Sequence, residues 1–157
     1  MESINPKNNL AEKIREMISF MNLECQVETR EEVDKDGKAL VVLVYTPENA
    51  RFLIGKNGQN LRAIEQVVRA MFLKNLNEFK NIVVDVNDYR KAKASYVIEL
   101  AKQVVTRVRN TQKAEALLPM SAYERRIVHM ELASYPDIAT ESIGNEPQRR
   151  IIVKPYP

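Results

Sequence analysis

Two glycines three residues apart, Gly55 and Gly58, bracket a Lys56-Asn57 pair at the head of an apolar helical stripe. No other feature constrains this chain as tightly. Glycine lets the backbone take positive φ and lets a ligand come close to the main chain. Placed at the start of a helix, such a loop offers N–H groups and the positive end of the helix dipole, which together favour a phosphate. Lys56 adds a mobile cation. Most Gly-x-x-Gly tetrapeptides are ordinary turns, so the surroundings carry the weight. Ile54 precedes the loop, and Leu61, Ile64, Val67, Val68, Met71 and Phe72 mark one helical face after it. A Walker-type nucleotide loop is excluded, because no Lys-Ser or Lys-Thr follows a correctly spaced glycine pair.

The neighbouring segments supply a topology. Leu10, Ile14, Met17, Ile18 and Met21 recur at helical spacing and predict a helix over 9–21. Cys25, Val27 and Thr29 alternate with polar residues, the period of a half-buried strand. Asp36-Gly37 signals a turn, and residues 40–45 are a continuous apolar run, so a hairpin is expected. Pro47 ends its second strand. Residues 52–55 form the first turn of a helical pair, and 82–86 a third strand. The expected order is α-β-β-α-α-β.

From Tyr89 the pattern changes. Residues 90–110 contain no Gly or Pro and place Ala92, Tyr96, Leu100, Val104 and Val108 at steps of four. A long helix follows from this, studded with Arg90, Lys91, Lys93, Lys102, Arg107 and Arg109. Residues 114–118 read as a short strand stopped by Pro119. Ser121 is an N-cap candidate, and Glu124 completes a capping-box spacing for a helix running to about 134. Two strands, 138–143 and 149–153, flank the turn residues Gly144-Asn145-Glu146-Pro147. The boundary falls near 88, giving domains 1–88 and 89–157 that are expected to abut without a linker. Residues 1–88 carry 12 Lys/Arg against 14 Asp/Glu, and 89–157 carry 12 against 7. On charge, the second half is the one expected to face a polyanion.

Arg125 and His129 stand four apart on the predicted helix and share a face. Arginine offers a planar fork for phosphate, and histidine donates a hydrogen bond and charges near neutral pH. Arg149 and Arg150 lie on a predicted strand, where adjacent side chains point to opposite faces. Only one of them can join that surface, and the sequence leaves open which. Tyr123 and Tyr135 are aromatic residues able to stack bases. Tyr123 lines up with Ile127 and Met130, so a core position is expected for it.

The stretches Pro119-Met120-Ser121-Ala122-Tyr123-Glu124-Arg125-Arg126-Ile127-Val128-His129 and Thr140-Glu141-Ser142-Ile143-Gly144-Asn145-Glu146-Pro147-Gln148-Arg149-Arg150 together closely resemble the R-three-H domain of the bacterial Jag family, also called KhpB. In that family a type II KH domain precedes the R-three-H domain directly, and Gly55-Lys56-Asn57-Gly58 matches the GXXG loop of such a KH domain. The resemblance spans about residues 10–156. It implies an α+β fold of two small α/β sandwiches, type II KH and then R-three-H. It also implies binding of single-stranded RNA, or single-stranded DNA, through Ile54, Gly55, Lys56, Asn57 and Gly58 in the first domain. Arg125 and His129 are the corresponding residues of the second, Arg149 and Arg150 are further candidates there, and Ile54 and Leu61 are expected to help seat bases. RNA chaperoning or post-transcriptional control, a link to cell elongation and division, and a small single-KH protein as partner are further implications. Many members carry an extra N-terminal domain. This chain starts almost at the first KH helix, so functions of that domain are not expected of it.

The chemistry of an enzyme is not expected. One His and one Cys are present, and no Cys/His cluster has metal-ligand spacing. Asp85 and Asp88 read as capping or solubilising groups, and the basic half is poor in the carboxylates a Mg²⁺-dependent nuclease needs. No cofactor, metal or small-molecule substrate is expected. The longest apolar run, 39–45, is far short of the roughly 20 residues of a membrane span. The N-terminus lacks the pattern of a secretion signal, and the single Cys25 fits a reducing, cytoplasmic setting. The competing expectation is a protein-interaction adaptor for division or membrane-insertion machinery that has kept these folds with little nucleic-acid binding.

Overall fold

The computed structural model describes residues 6–157. Residues 1–5, part of the stretch read as lacking a secretion signal, lie outside them. Two compact units divide the chain, the first ending at Arg90 and the second running Lys91–Pro157. Each mixes helix and sheet, so the architecture is α+β. No helix among the described residues is long and apolar enough to cross a membrane.

In the first unit, helix α1 (Pro6–Ser19) buries Leu10, Ile14 and Ile18, the positions its spacing predicts. Met21 lies past the helix end and is half exposed. Strands β1 (Gln26–Asp34) and β2 (Gly37–Tyr45) form an antiparallel hairpin around the Lys35-Asp36 turn, with Val27 opposite Val44. Strand β2 then pairs in parallel with β3 (Asn81–Val86), Leu40 opposite Ile82 and Val44 opposite Val86. Parallel neighbours cannot be joined by a tight turn, so the chain must cross over the sheet. It does so through helix α2 (Ala50–Ile54), a single 3₁₀ turn over Lys56–Gly58, and helix α3 (Gln59–Phe72). The order α-β-β-α-α-β is the expected one. Leu40, Val42, Val44, Ile82, Val84 and Val86 alternate onto one sheet face, which α1 and α3 close with Leu10, Ile14, Ile18, Leu61 and Val68.

A buried carboxylate ties the crossover to the sheet. Glu65 of α3 accepts the Val84 N–H of β3 at 2.9 Å and pairs with Arg69 at 2.6 Å and with Arg90. Arg69 in turn donates to the Ile82 carbonyl at 2.8 Å. Asp85, buried at the end of β3, accepts N–H bonds from Val86 at 3.0 Å and Arg90 at 3.2 Å. Of the capping and solubilising roles expected of it, this buried carboxyl fills the first. Burial pushes its carboxyl above the usual range, against the pull of those two N–H donors. Cys25 sits just ahead of β1, half-buried against the core, where burial pushes its thiol up.

The second unit is built on helix α4 (Tyr89–Thr111), which begins two residues before the division. Strands β4 (Glu115–Ala116), β5 (Ile138–Ile143) and β6 (Arg150–Pro155) form an antiparallel sheet in the order β4-β6-β5. Helix α5 (Ala122–Leu132) ends two residues earlier than expected. Val97, Ala101, Val104, Val105 and Val108 of α4 pack with Val128 and Leu132 of α5 and with Ile138, Ile151 and Val153 of the sheet. The buried stripe of α4 departs from the predicted one, since Tyr96 is 55% exposed and Ala92 is not in the core. Steps of four drift by about 40° per step on a 3.6-residue helix, and the buried face follows a mixture of threes and fours instead.

Two measurements test this account of the first unit. Glu65→Ala leaves the buried Val84 N–H unpaired and removes the carboxylate partner of Arg69 and Arg90, and should lower stability in denaturant unfolding by about 3 kcal/mol. For Asp85, the native carboxyl binds its proton more tightly than the unfolded chain does. Its contribution to stability is therefore present below the unfolded pKa and is lost as pH rises through the raised native value. Asp85→Asn keeps an oxygen acceptor for the Arg90 N–H. The variant should be at least as stable as wild type at neutral pH, with the gap closing as pH falls through the carboxylate range.

Candidate functional site

The Gly55–Gly58 loop owes its shape to three departures from ordinary backbone. Gly55 has φ 70° and ψ 179°, Asn57 has φ 52° and ψ 31°, and Gly58 has φ 75° and ψ 18°. The Gly55 conformation is essentially glycine-only. A Cβ there would come within 2.6 Å of Asn60 Cγ and 2.8 Å of the Asn60 main-chain nitrogen. A Cβ on Gly58 would meet the Tyr89 ring at 3.0 Å. Gly55 donates to the Arg51 carbonyl at 2.8 Å, closing α2, and Gly58 donates to the Gly55 carbonyl at 3.3 Å. Three side chains that the sequence does not single out hold this loop. Asn60 Nδ2 donates to the Phe52 carbonyl at 2.8 Å, Arg62 Nη1 donates to the Asn57 carbonyl at 3.0 Å, and Tyr89 backs Gly58.

Lys56 and Asn57 are exposed at the tip, and Ile54 is half-buried beside it. Leu61, expected to help seat bases, is instead sealed in the core at 3% exposure. A residue in the first turn of α3 is turned inward by the crossover, and its work there is support. Exposed side chains near the loop in sequence are Phe52, whose ring carries the Arg51 guanidinium 5.0 Å from its centroid, and Arg62.

In the second unit, Ser121 and Glu124 form the expected capping box. The Ser121 hydroxyl accepts the Glu124 N–H at 3.3 Å, and the Glu124 carboxylate accepts the Ser121 N–H at 2.7 Å. The cap fixes how α5 enters, and α5 then buries Glu124, Arg125, Val128 and Leu132. The Arg125 side chain is only a tenth exposed. Its Nη1 donates to the Met120 carbonyl at 2.7 Å, and its Nη2 lies 2.7 Å from Glu146 Oε1. Met120 donates its N–H to the Arg149 carbonyl at 3.2 Å, so Arg125 reaches the start of β6 through the segment before its own helix. His129 is exposed and held by Nδ1, 2.6 Å from the Thr140 hydroxyl, which leaves Nε2 for a ligand.

Strand register settles which arginine shares this surface. Ile151 and Val153 point into the core, and they pair with Ser142 and Thr140, so those two hydroxyls lie on the same sheet face. Arg149 has their parity, and its Nε donates to the Ser142 hydroxyl at 2.9 Å. Arg150 points the other way and donates to the Gln148 carbonyl. Arg149, His129, Thr140 and Ser142 therefore form one surface, with Arg125 behind it. Tyr123 is not in the core: it is 57% exposed, because the buried stripe of α5 runs through 124/125, 128 and 132. Tyr135 is half-buried under the Arg109 guanidinium, 5.1 Å from its ring centroid.

Five of the six cations noted along α4 hold carboxylates: Arg90 with Glu65, Lys93 with Glu124, Lys102 with Glu131, Arg107 with Glu115, and Arg109 with Asp137. The Arg107 and Arg109 guanidinium groups keep the Glu115 and Asp137 carboxyls below the usual range. Only Lys91 of that stripe has no ion pair among the described residues.

Comparison with known proteins places an R-three-H domain at residues 95–155. The chain is 34% identical over 101 residues to the RNA-binding protein KhpB of Clostridium symbiosum, a match covering 64% of this chain and 46% of the relative. It is 32% identical over 121 residues to the protein of that name from Bacillus subtilis (strain 168), covering 76% and 58%. The counterpart from Lactiplantibacillus plantarum is 31% identical over 117 residues, covering 74% and 36%. The chain thus spans about half the length of the curated relatives it matches.

Loop geometry makes a stability prediction independent of any ligand. Gly55→Ala should cost about 2–3 kcal/mol in denaturant unfolding, and Gly58→Ala about 1–2, because only the first forces an L residue into a glycine-only region. Equal losses at the two positions would contradict the loop conformation described.

Proposed function

The chain belongs to the Jag/KhpB family, and from that membership we propose that it binds single-stranded nucleic acid, RNA before DNA, and performs no catalysis. The curated relatives are named as RNA-binding proteins. The observation that carries the reading is the Gly55–Gly58 loop. Its unusual backbone is held by Asn60, Arg62 and Tyr89 while Lys56 and Asn57 stay exposed at the tip. That is the build expected of a clamp for a sugar–phosphate backbone, which needs a close main-chain approach and a mobile cation. Ile54 flanks it on the apolar side. In the second unit the surface of His129, Thr140, Ser142 and Arg149, backed by Arg125, presents donors for a second stretch of strand. Arg150, on the opposite sheet face, is not part of that surface.

RNA chaperoning or post-transcriptional control tied to cell elongation and division, action in the cytoplasm, and pairing with a small single-KH protein belong to the same proposal. They rest on family membership alone. The division into a KH domain and an R-three-H domain is likewise part of it, with the α-β-β-α-α-β order supporting the first and the family match over 95–155 the second.

Phosphate contacts release counterions, so affinity for a labelled short single-stranded RNA should fall by at least tenfold between about 50 and 200 mM salt. The double variant Lys56→Asp/Asn57→Asp should weaken binding and flatten the salt dependence, and Arg125→Ala/His129→Ala should weaken binding. A wild-type chain that does not bind, or binding that neither variant alters, would sink the proposal and leave the adaptor reading in its place.

A further inference from the structure

We infer that the second unit meets its strand on the exposed face of α5, with Arg126 as the phosphate-binding cation and Tyr123 as the stacking ring, while Arg125 is a positioning residue behind that face. This rests on the RNA-binding reading and assigns its contacts within the second unit. Tyr123 is 57% and Met130 65% exposed, and Arg126 and His129 are exposed as well. Residues three and four apart on a helix are neighbours, so Arg126 lies beside Tyr123 on one side and beside His129 and Met130 on the other. Singly exposed apolar residues need no explanation. Here a tyrosine ring and a thioether flank a guanidinium and an imidazole on consecutive turns. Such a strip offers a π-face for a base next to a guanidinium and an imidazole that can donate to its phosphate.

Charge selects the occupant. The two carboxylates of α5 are already engaged: Glu124 in the capping box and with Lys93, Glu131 with Lys102. Among the described residues Arg126 has no ion pair, and neither has Arg149 on the adjoining strand surface. The strip is therefore cationic and without an internal counterion, which fits a polyanion. Arg125 is in the opposite condition. Its side chain is a tenth exposed, and both terminal nitrogens are committed, to Met120 and Glu146. Its contacts fix the segment that enters α5 and the turn between β5 and β6, and so set the height of the exposed strip.

The test uses the full chain and a labelled oligouridine, with binding followed by fluorescence anisotropy across the salt range and thermal unfolding measured alongside. Arg126→Gln should leave the melting temperature unchanged, weaken binding about three- to tenfold, and reduce the slope of log K against log salt by about 0.7, one phosphate on a single strand. Arg126→Lys should restore that slope. Tyr123→Ala should weaken binding about tenfold with the slope unchanged. Arg125→Gln should lower the melting temperature and, at temperatures where the variant is folded, keep the wild-type slope. An Arg126→Gln chain with wild-type affinity and slope overturns the inference while leaving the RNA-binding reading intact. An Arg125→Gln chain that loses one phosphate's slope at unchanged melting temperature overturns it too. A wild-type chain that binds no oligouridine removes both together.

Discussion

Parallel pairing of β2 with β3 is the constraint on which the first unit depends. The chain leaving β2 has to return to the same end of the sheet before it can start β3, and only a crossover of helical length can do that. The crossover here is two helices rather than one, so it must bend, and the Gly55–Gly58 loop is the bend. Its φ values follow from that geometry: α2 closes with a bond from Gly55, and α3 must start at once in a new direction. An exposed tip with close main-chain access is therefore a by-product of the sheet topology. Glu65 then fastens the second crossover helix to β3 and to the start of α4, so the bend rests on a fixed frame.

The second unit is organised differently. Its three-stranded sheet is small, and β4 contributes only two residues. Arg125 adds a side-chain link to the main-chain bond between Met120 and Arg149, reaching the Met120 carbonyl on one side and the β5–β6 turn on the other. Arginine suits this task because its planar fork bonds in two directions while its stem packs among apolar groups. His129, one turn on, has a shorter side chain and a hydrogen bond to Thr140. A pair read from sequence as one anion clamp is thus divided by depth. The arginine is built into the unit, and the histidine stands at its surface.

Much of this was legible in the residues. Regular spacing gave α1 its buried face at Leu10, Ile14 and Ile18, Asp36-Gly37 marked the hairpin, and Ser121 with Glu124 announced the capping box. These are local signals, settled within a few residues of chain. What the sequence left open depends on tertiary placement. Arg149 and Arg150 are equivalent until the register of β6 against β5 assigns their faces. Tyr123 and Tyr96 belong to helices whose buried stripe is chosen by what packs against them, and both fall outside it. Leu61 follows the glycine loop and looks available to a ligand, yet the crossover turns it into the core. The loop's supports, Asn60, Arg62 and Tyr89, carry no motif of their own, because their role comes from reaching carbonyls and a glycine that folding brings near.

Charge shows the same gap between a linear and a folded reading. Counted along the chain, the second half is the basic one, and α4 is its most basic segment. Folding pairs most of that helix's cations with carboxylates from distant positions, Glu115 and Asp137 among them. A neutralised guanidinium contributes little to the field a polyanion feels at a distance. With a net charge of only +3, the proposed binding rests on short-range contacts, made where donors are held in place and left without a counterion. In each unit such donors occur at a helix whose entry is fixed: α3, set by the glycine loop, and α5, set by its cap and by Arg125. The number of basic residues is thus a poor guide to the proposed binding surface, and the rigidity of two helix entrances is a better one.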